Sequence, residues 1–157
     1  MELTHVNSAG NAFMVDVSSK EVVRRTASAY GKILLQKETI DIVKANLMKK
    51  GDVLAVAKIA GIMAAKKTEE LIPLCHCLNL EHVDVNFILA DDGIEITSQV
   101  ITSGKTGVEM EALTAVSVSA LTIYDMCKAV DKTMKIEDVH LLEKKKEEIQ
   151  SSDSLTK

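Results

Sequence analysis

Alternation of apolar and polar positions is clearest in the middle of the chain. Val83, Val85, Phe87 and Leu89 alternate with Asp84, Asn86 and Ile88, the pattern of a strand with one face buried. Asp92-Gly93 supplies a turn, and Ile94, Ile96, Ser98 and Val100 return as the partner strand. Arg24 to Leu35 forms another strand, with Tyr30-Gly31 as a bend within it. From Glu38 to Met48 the period becomes helical: Ile40, Val43 and Leu47, spaced by three and four, make one apolar stripe. Lys50-Gly51-Asp52 ends that helix, and Asp52 can cap the next, from Val53 to about Leu71. This second helix is apolar on most sides through Ala65. Its small residues Ala57, Ala60, Gly61 and Ala64 invite close packing by another element. Pro73 punctuates the turn into Leu74-Cys75-His76-Cys77. A long helix from about Gly107 to Val130 and a last strand from about Met134 to Leu142 complete the order β-α-α-β-β-α-β. That order predicts an α+β domain whose largely antiparallel sheet is covered by helices on one face.

The length, 157 residues, suits a single domain spanning the chain, with residues 1 to about 14 as an arm and Glu143 to Lys157 as a charged, then Ser-rich, tail. With 46% hydrophobic residues the chain is not a disordered polar polymer. Its four aromatics, Phe13, Tyr30, Phe87 and Tyr124, are too few for a base-stacking platform, and a formal charge of −4 weighs against counterion-driven duplex binding. No nucleic-acid partner is expected. The longest charge-free stretch, Ala112 to Tyr124, is too short to span a bilayer, so no membrane partner is expected either. Met1-Glu2-Leu3-Thr4-His5 has neither the basic region nor the apolar run of a secretory signal, and Cys75, Cys77 and Cys127 suit free thiols. The expected compartment is the cytoplasm.

Candidate chemistry lies at both ends of the long helix. Thr106-Gly107-Val108-Glu109 matches a capping box, so Glu109 is either a cap or a site residue. Glu111 enters a helix whose following turns lack charge, and a carboxylate there needs a partner or a raised pKa. Asp125 and Lys128, three residues apart, can pair on one face. Glu111 and Asp125 share nearly one face yet stand roughly 21 Å apart along the axis, too far for one small-molecule pocket. Two antiparallel copies across a two-fold axis would bring the start of one helix beside the end of the other, which predicts a homodimer with interface sites.

Other segments carry weaker signals. Cys75-His76-Cys77 is too contiguous for one ion and has no second ligand pair, so no metal site is expected. His76 serves either as a donor or proton carrier on its loop or as a histidine bonded to a neighbouring carbonyl. Lysines cluster at Lys49-Lys50, Lys66-Lys67 and Lys144-Lys145-Lys146, as solvated faces or as converging phosphate ligands. Ser103-Gly104-Lys105-Thr106-Gly107 is half a phosphate loop, without the upstream glycine that NTP hydrolysis would want, but the helix N-terminus it opens is a reasonable anion site.

Ordered motifs in register carry a resemblance: Lys50-Gly51-Asp52-Val53, Ile59-Ala60-Gly61-Ile62, Ile72-Pro73-Leu74-Cys75-His76, Thr106-Gly107-Val108-Glu109-Met110-Glu111-Ala112 and Tyr124-Asp125-Met126-Cys127-Lys128. Through them the chain resembles the cyclic pyranopterin monophosphate synthase (MoaC) family of molybdenum-cofactor biosynthesis, from Met14-Val15-Asp16-Val17 to Leu142. The resemblance implies a ferredoxin-like α+β fold and a lyase. Its reaction converts 3′,8-cyclo-7,8-dihydroguanosine 5′-triphosphate to cyclic pyranopterin monophosphate and releases pyrophosphate. It also implies a homohexamer, a trimer of dimers with active sites at the dimer interface, and no required cofactor, Mg2+ being compatible with the triphosphate.

By the same resemblance, Asp125 is the catalytic aspartate, and Lys128 and Lys50 are catalytic lysines placed around the phosphates and reacting ring. Leu74, Cys75 and His76 form a substrate-binding loop, and Met110 and Glu111 a second binding segment. Arg25 contacts the triphosphate, Lys144 lies near the phosphates and reacting ring, and Glu109 is a further acidic site residue. Two departures stand out. Lys145-Lys146-Glu147-Glu148-Ile149-Gln150 replaces the family's glycine-rich loop after Lys144, and Cys77 stands where a proline is usual. The altered tail keeps a second reading open, a nucleotide- or pterin-binding oligomer without turnover.

Overall fold

In the computed structural model, which describes residues 10–149, strand β1 (Val23–Leu34) turns Ala27, Ala29, Gly31 and Ile33 to one buried face. Helices α1 (Lys37–Lys44), α2 (Val53–Lys66) and α3 (Thr68–Leu71) follow, then the hairpin of β2 (Leu80–Leu89) and β3 (Gly93–Gly104). Helix α4 (Glu109–Cys127) and strand β4 (Lys135–Glu147) complete the order. The four strands lie in the sequence β2-β3-β1-β4 with every neighbouring pair antiparallel, the ferredoxin-like arrangement.

α2 and α4 pack against each other on one sheet face, α4 over β1, β3 and β4 and α2 over β2. The core lies between the layers, with Ile33, Val85, Ile94, Ile96, Val100, Val116 and Ile123 fully buried. The small residues of α2 serve the close approach expected of them. A Cβ on Gly61 would strike the Ser119 hydroxyl and the Ala115 carbonyl of α4, and Ser119 Oγ donates to the Ala57 carbonyl at 3.0 Å. Gly31 has a similar cause, because a side chain there would strike Val116 of α4. The bend expected at Tyr30-Gly31 appears only on the β4 side, where the register shifts between Tyr30 and Lys32; pairing with β3 is unbroken.

Several element ends differ from the sequence reading, each for a local reason. α1 stops at Lys44 because Asn46, at φ 54°, enters the left-handed region. Leu47 N–H then reaches back to the Ile42 carbonyl and Asn46 N–H to Val43, the bond pair of a Schellman stop. Leu47 is therefore 72% exposed instead of completing the apolar stripe, and Met48 takes the buried place. The helix expected to reach Leu71 divides at Lys67, where Thr68 Oγ1 donates to the carbonyl of Ala65 at 3.0 Å. At α4 the capping box does not form: Val108 is the N-cap residue and makes no side-chain cap bond. β4 continues past Leu142 to Glu147, so Glu143–Glu147 belong to the sheet rather than to a tail. Residues 1–9 of the arm and 150–157 of the tail lie outside the described residues.

One buried carboxylate sets the geometry near the end of α4. Asp131, 1% exposed, accepts from Gln36 N–H at 2.8 Å and from the Thr133 N–H and hydroxyl at 2.9 and 2.8 Å. It thereby ties the exit of α4 to the entrance of α1. Among the described residues, no helix is long and apolar enough to cross a membrane.

Candidate active site

At the C-terminal end of α4, Asp125 sits between two ammonium groups. Lys128, one turn along the helix, donates to Oδ1 at 2.7 Å; Lys50 donates to Oδ2 at 2.8 Å and to the Asp125 carbonyl at 3.0 Å. Lys50 arrives on the loop before α2, where Gly51 turns the chain at φ 97° and Asp52 caps the helix by accepting from Ala55 N–H at 3.0 Å. The hydrogen bond from Lys128, then that from Lys50, holds the Asp125 carboxyl down at about 2. Lys128 is correspondingly raised by Asp125. All three groups are well exposed, so the cluster contributes little to stability. Its character is chemical: a carboxylate that stays ionised and an ammonium that stays protonated.

At the N-terminal end of α4, a cavity of about 320 Å³ opens between three segments. Leu74, Cys75 and His76 come from the loop after α3, where Cys75 N–H closes a turn on the Ile72 carbonyl at 3.1 Å. Glu109, Met110 and Glu111 come from the first turn of α4, and Val15, Val17 and Lys20 from the segment before β1. His76 Nε2 lies 2.7 Å from the Val15 carbonyl. A carbonyl only accepts, so Nε2 carries the proton; the carbonyl is remote in sequence, not a neighbour's. Glu111 is 4% exposed, and burial pushes its carboxyl up, with the nearby Glu109 charge adding to the shift. Burial and then Glu111 push the Cys75 thiol up as well.

A second cavity, of about 280 Å³, adjoins the first through Gly107 and Glu109 and is lined by Arg25, Lys144, Lys145 and Lys146. The pairing of β1 with β4 makes it: Arg25 stands opposite Lys146, and Ala27 opposite Lys144. Lys144 Nζ lies 3.1 Å from Glu109 Oε1. Arg25 Nε donates to the Gly104 carbonyl and Nη2 to the Lys105 carbonyl, both at 3.0 Å. Two carbonyls of the half phosphate loop thus face a guanidinium. The Glu109 carboxylate lies over Gly107, close to the helix N-terminus at which an external anion was expected.

The eleven candidates thus fall into two groups. Asp125, Lys128 and Lys50 meet at one end of α4; Leu74, Cys75, His76, Glu109, Met110, Glu111, Arg25 and Lys144 converge at the other. The intervening stretch of helix, roughly 21 Å, keeps the groups apart within one chain. Sequence reasoning missed Val15, Val17 and Lys20 as cavity residues. The available signal was Asp16-Val17-Ser18, whose Asp16 side chain accepts from Ser18 N–H at 2.8 Å in an Asx turn. Among the described residues, no three His, Cys, Asp or Glu side chains gather in a metal-holding arrangement.

Comparison with known proteins adds an independent line. The MoaC family matches residues 14–147, including the end of β4. The chain is 58% identical over 146 residues to the cyclic pyranopterin monophosphate synthase of Chloroflexus aurantiacus, spanning 92% of this chain and 90% of that protein. The protein of the same name from Desulfitobacterium hafniense is 57% identical over 145 residues, 92% of this chain and 89% of its own length. The molybdenum cofactor biosynthesis bifunctional protein of Chlorobaculum tepidum is 57% identical over 141 residues, 90% of this chain but 45% of that larger protein.

Proposed function

We infer that this chain, which belongs to the MoaC family, is a lyase of molybdenum-cofactor biosynthesis that converts 3′,8-cyclo-7,8-dihydroguanosine 5′-triphosphate to cyclic pyranopterin monophosphate and releases pyrophosphate. The observation that carries this reading is the match over residues 14–147, at 58% identity to a synthase of nearly equal length. The geometry supports it. The cavity of Leu74, Cys75, His76, Met110 and Glu111 suits a purine-derived ring read along its edges, and the adjoining Arg25–Lys144 cavity suits the phosphates. A hydroxyl of the substrate itself attacks the α-phosphorus and gives up its proton, closing the cyclic phosphate as pyrophosphate leaves, and Arg25, Lys144 and the neighbouring lysines neutralise the charge that builds on the leaving group. Ring opening and reclosure need proton transfers. Asp125, held ionised by the two ammoniums, and Lys128 beside it form the acid/base unit for those transfers.

The separation of the two groups supports a dimer in which the Asp125 cluster of one copy completes the cavity of the next, within a trimer of dimers acting in the cytoplasm. No cofactor is required in this reading, and Mg2+ can accompany the triphosphate. Incubation with freshly made cyclised GTP intermediate tests it. Pyrophosphate together with a pterin product is the expected outcome; tight binding with neither product would instead support a non-catalytic binding oligomer.

A further inference from the structure

The segment between Val15 and Lys20 crosses one wall of the ring cavity, yet it belongs to no strand or helix. Local bonds fold it into a compact turn: Ser18 N–H donates to Asp16 Oδ1 at 2.8 Å, and Lys20 N–H to the Val17 carbonyl at 3.0 Å. Two side chains from elsewhere fasten it. His76 holds its start through the Val15 carbonyl at 2.7 Å, and Lys105 Nζ holds its middle through the Ser18 carbonyl at 2.6 Å. Lys105 is itself fixed from below, because its own carbonyl accepts from Arg25 at 3.0 Å. One residue thus links the phosphate side of the site to the strap over the ring side. The strap also carries Lys20, the only lysine or arginine among the described residues lining that cavity, whose other described charged members Glu109 and Glu111 are acidic.

We propose that Lys105 is a positioning residue that clamps the Val15–Lys20 strap, so that Lys20 is presented to the anionic substrate and His76 keeps its Val15 partner. The inference rests on the cavity being the substrate site as read above. A bond from an ammonium to a backbone carbonyl is charge-assisted, and its loss frees a segment with few other anchors. Asp16 reinforces the clamp, since Ser18 and the Lys105 charge hold its carboxyl below the usual range.

The test compares Lys105→Met, Lys105→Arg, Asp16→Ala and Lys20→Ala in the full chain. In the absence of substrate, hydrogen exchange at the Ser18 and Lys20 amides should speed by about ten-fold in Lys105→Met and recover in Lys105→Arg, with the amides of α4 unchanged. Asp16→Ala, which leaves Lys105 in place, should give the same local loosening. With substrate, Lys105→Met should raise KM about ten-fold and lower kcat much less, and in Lys105→Met with Lys20→Ala the combined loss should fall well short of the product of the two single losses. Unchanged exchange at Ser18, or losses that multiply in the double variant, would overturn the proposal. If the unaltered protein releases no pyrophosphate, the assigned reaction fails while the exchange data still decide the clamp.

Discussion

At the scale of single residues, the two acidic side chains of α4 behave oppositely because their surroundings differ. Asp125 lies in solvent between two ammoniums and is held near 2; Glu111 is buried beside another carboxylate and is pushed up. The depressed Asp125 contributes stability that is present above its ordinary 3.8 and is lost as pH falls toward about 2. The raised Glu111 works the other way: its own contribution to stability is fully present below 4.5 and is lost as pH rises through its elevated folded pKa. Glu111→Gln should therefore melt close to the unaltered protein in acid and above it at neutral pH, a widening gap that thermal melts across pH would read. A constant gap would mean that Glu111 does not titrate in this range. Asp125→Asn removes the charge that organises Lys50 and Lys128, and turnover should drop by about 10²-fold or more with the fold intact. Near-normal pyrophosphate release would remove Asp125 from the chemistry.

Elements set the distances that these side chains exploit. α2 approaches α4 closely at Gly61, where Ser119 and Ala115 leave no room for a Cβ. Gly61→Ala should cost about 1–3 kcal/mol in chemical denaturation, since overpacking forces the helices apart. A neutral substitution would mean that the pair separates without strain. β4 has the more direct functional part. Its continuation to Glu147 puts Lys144 and Lys146 beside Arg25, so a segment that looks like a charged tail lines the cavity proposed for the phosphates. Lys144→Ala should weaken substrate binding by about ten-fold, measured as KM, because it removes one charge-assisted contact and leaves Glu109 unpaired. Lys145 to Glu147, where the resemblance leads to the expectation of a glycine-rich loop, are strand paired to β1.

For the whole molecule, the separation along α4 makes one decisive prediction. If two copies complete each site, mixing inactive Asp125→Asn with inactive Glu111→Gln should restore turnover that neither shows alone, because mixed dimers contain one intact site. Failure to complement under exchanging conditions would place each site within one chain. Much of the fold was legible beforehand: the alternation at Val83–Leu89, the Asp92-Gly93 turn and the Asp52 cap depend on neighbours in sequence, and each appears where expected. The ends of α1 and α2 were misplaced because a left-handed Asn46 and a Thr68 hydroxyl compete locally with an otherwise continuing apolar stripe. The site residues themselves were named through motif resemblance, and the burial of Glu111 and the pairing of Asp125 with Lys128 through spacing. What tertiary structure alone decided is how distant segments meet: Lys50 with Asp125, His76 with Val15, and Arg25 with the loop before α4 and with Lys144–Lys146. Periodicity and turn chemistry act over a few residues and are written in the chain, whereas these contacts depend on strand register and helix packing between segments far apart in it.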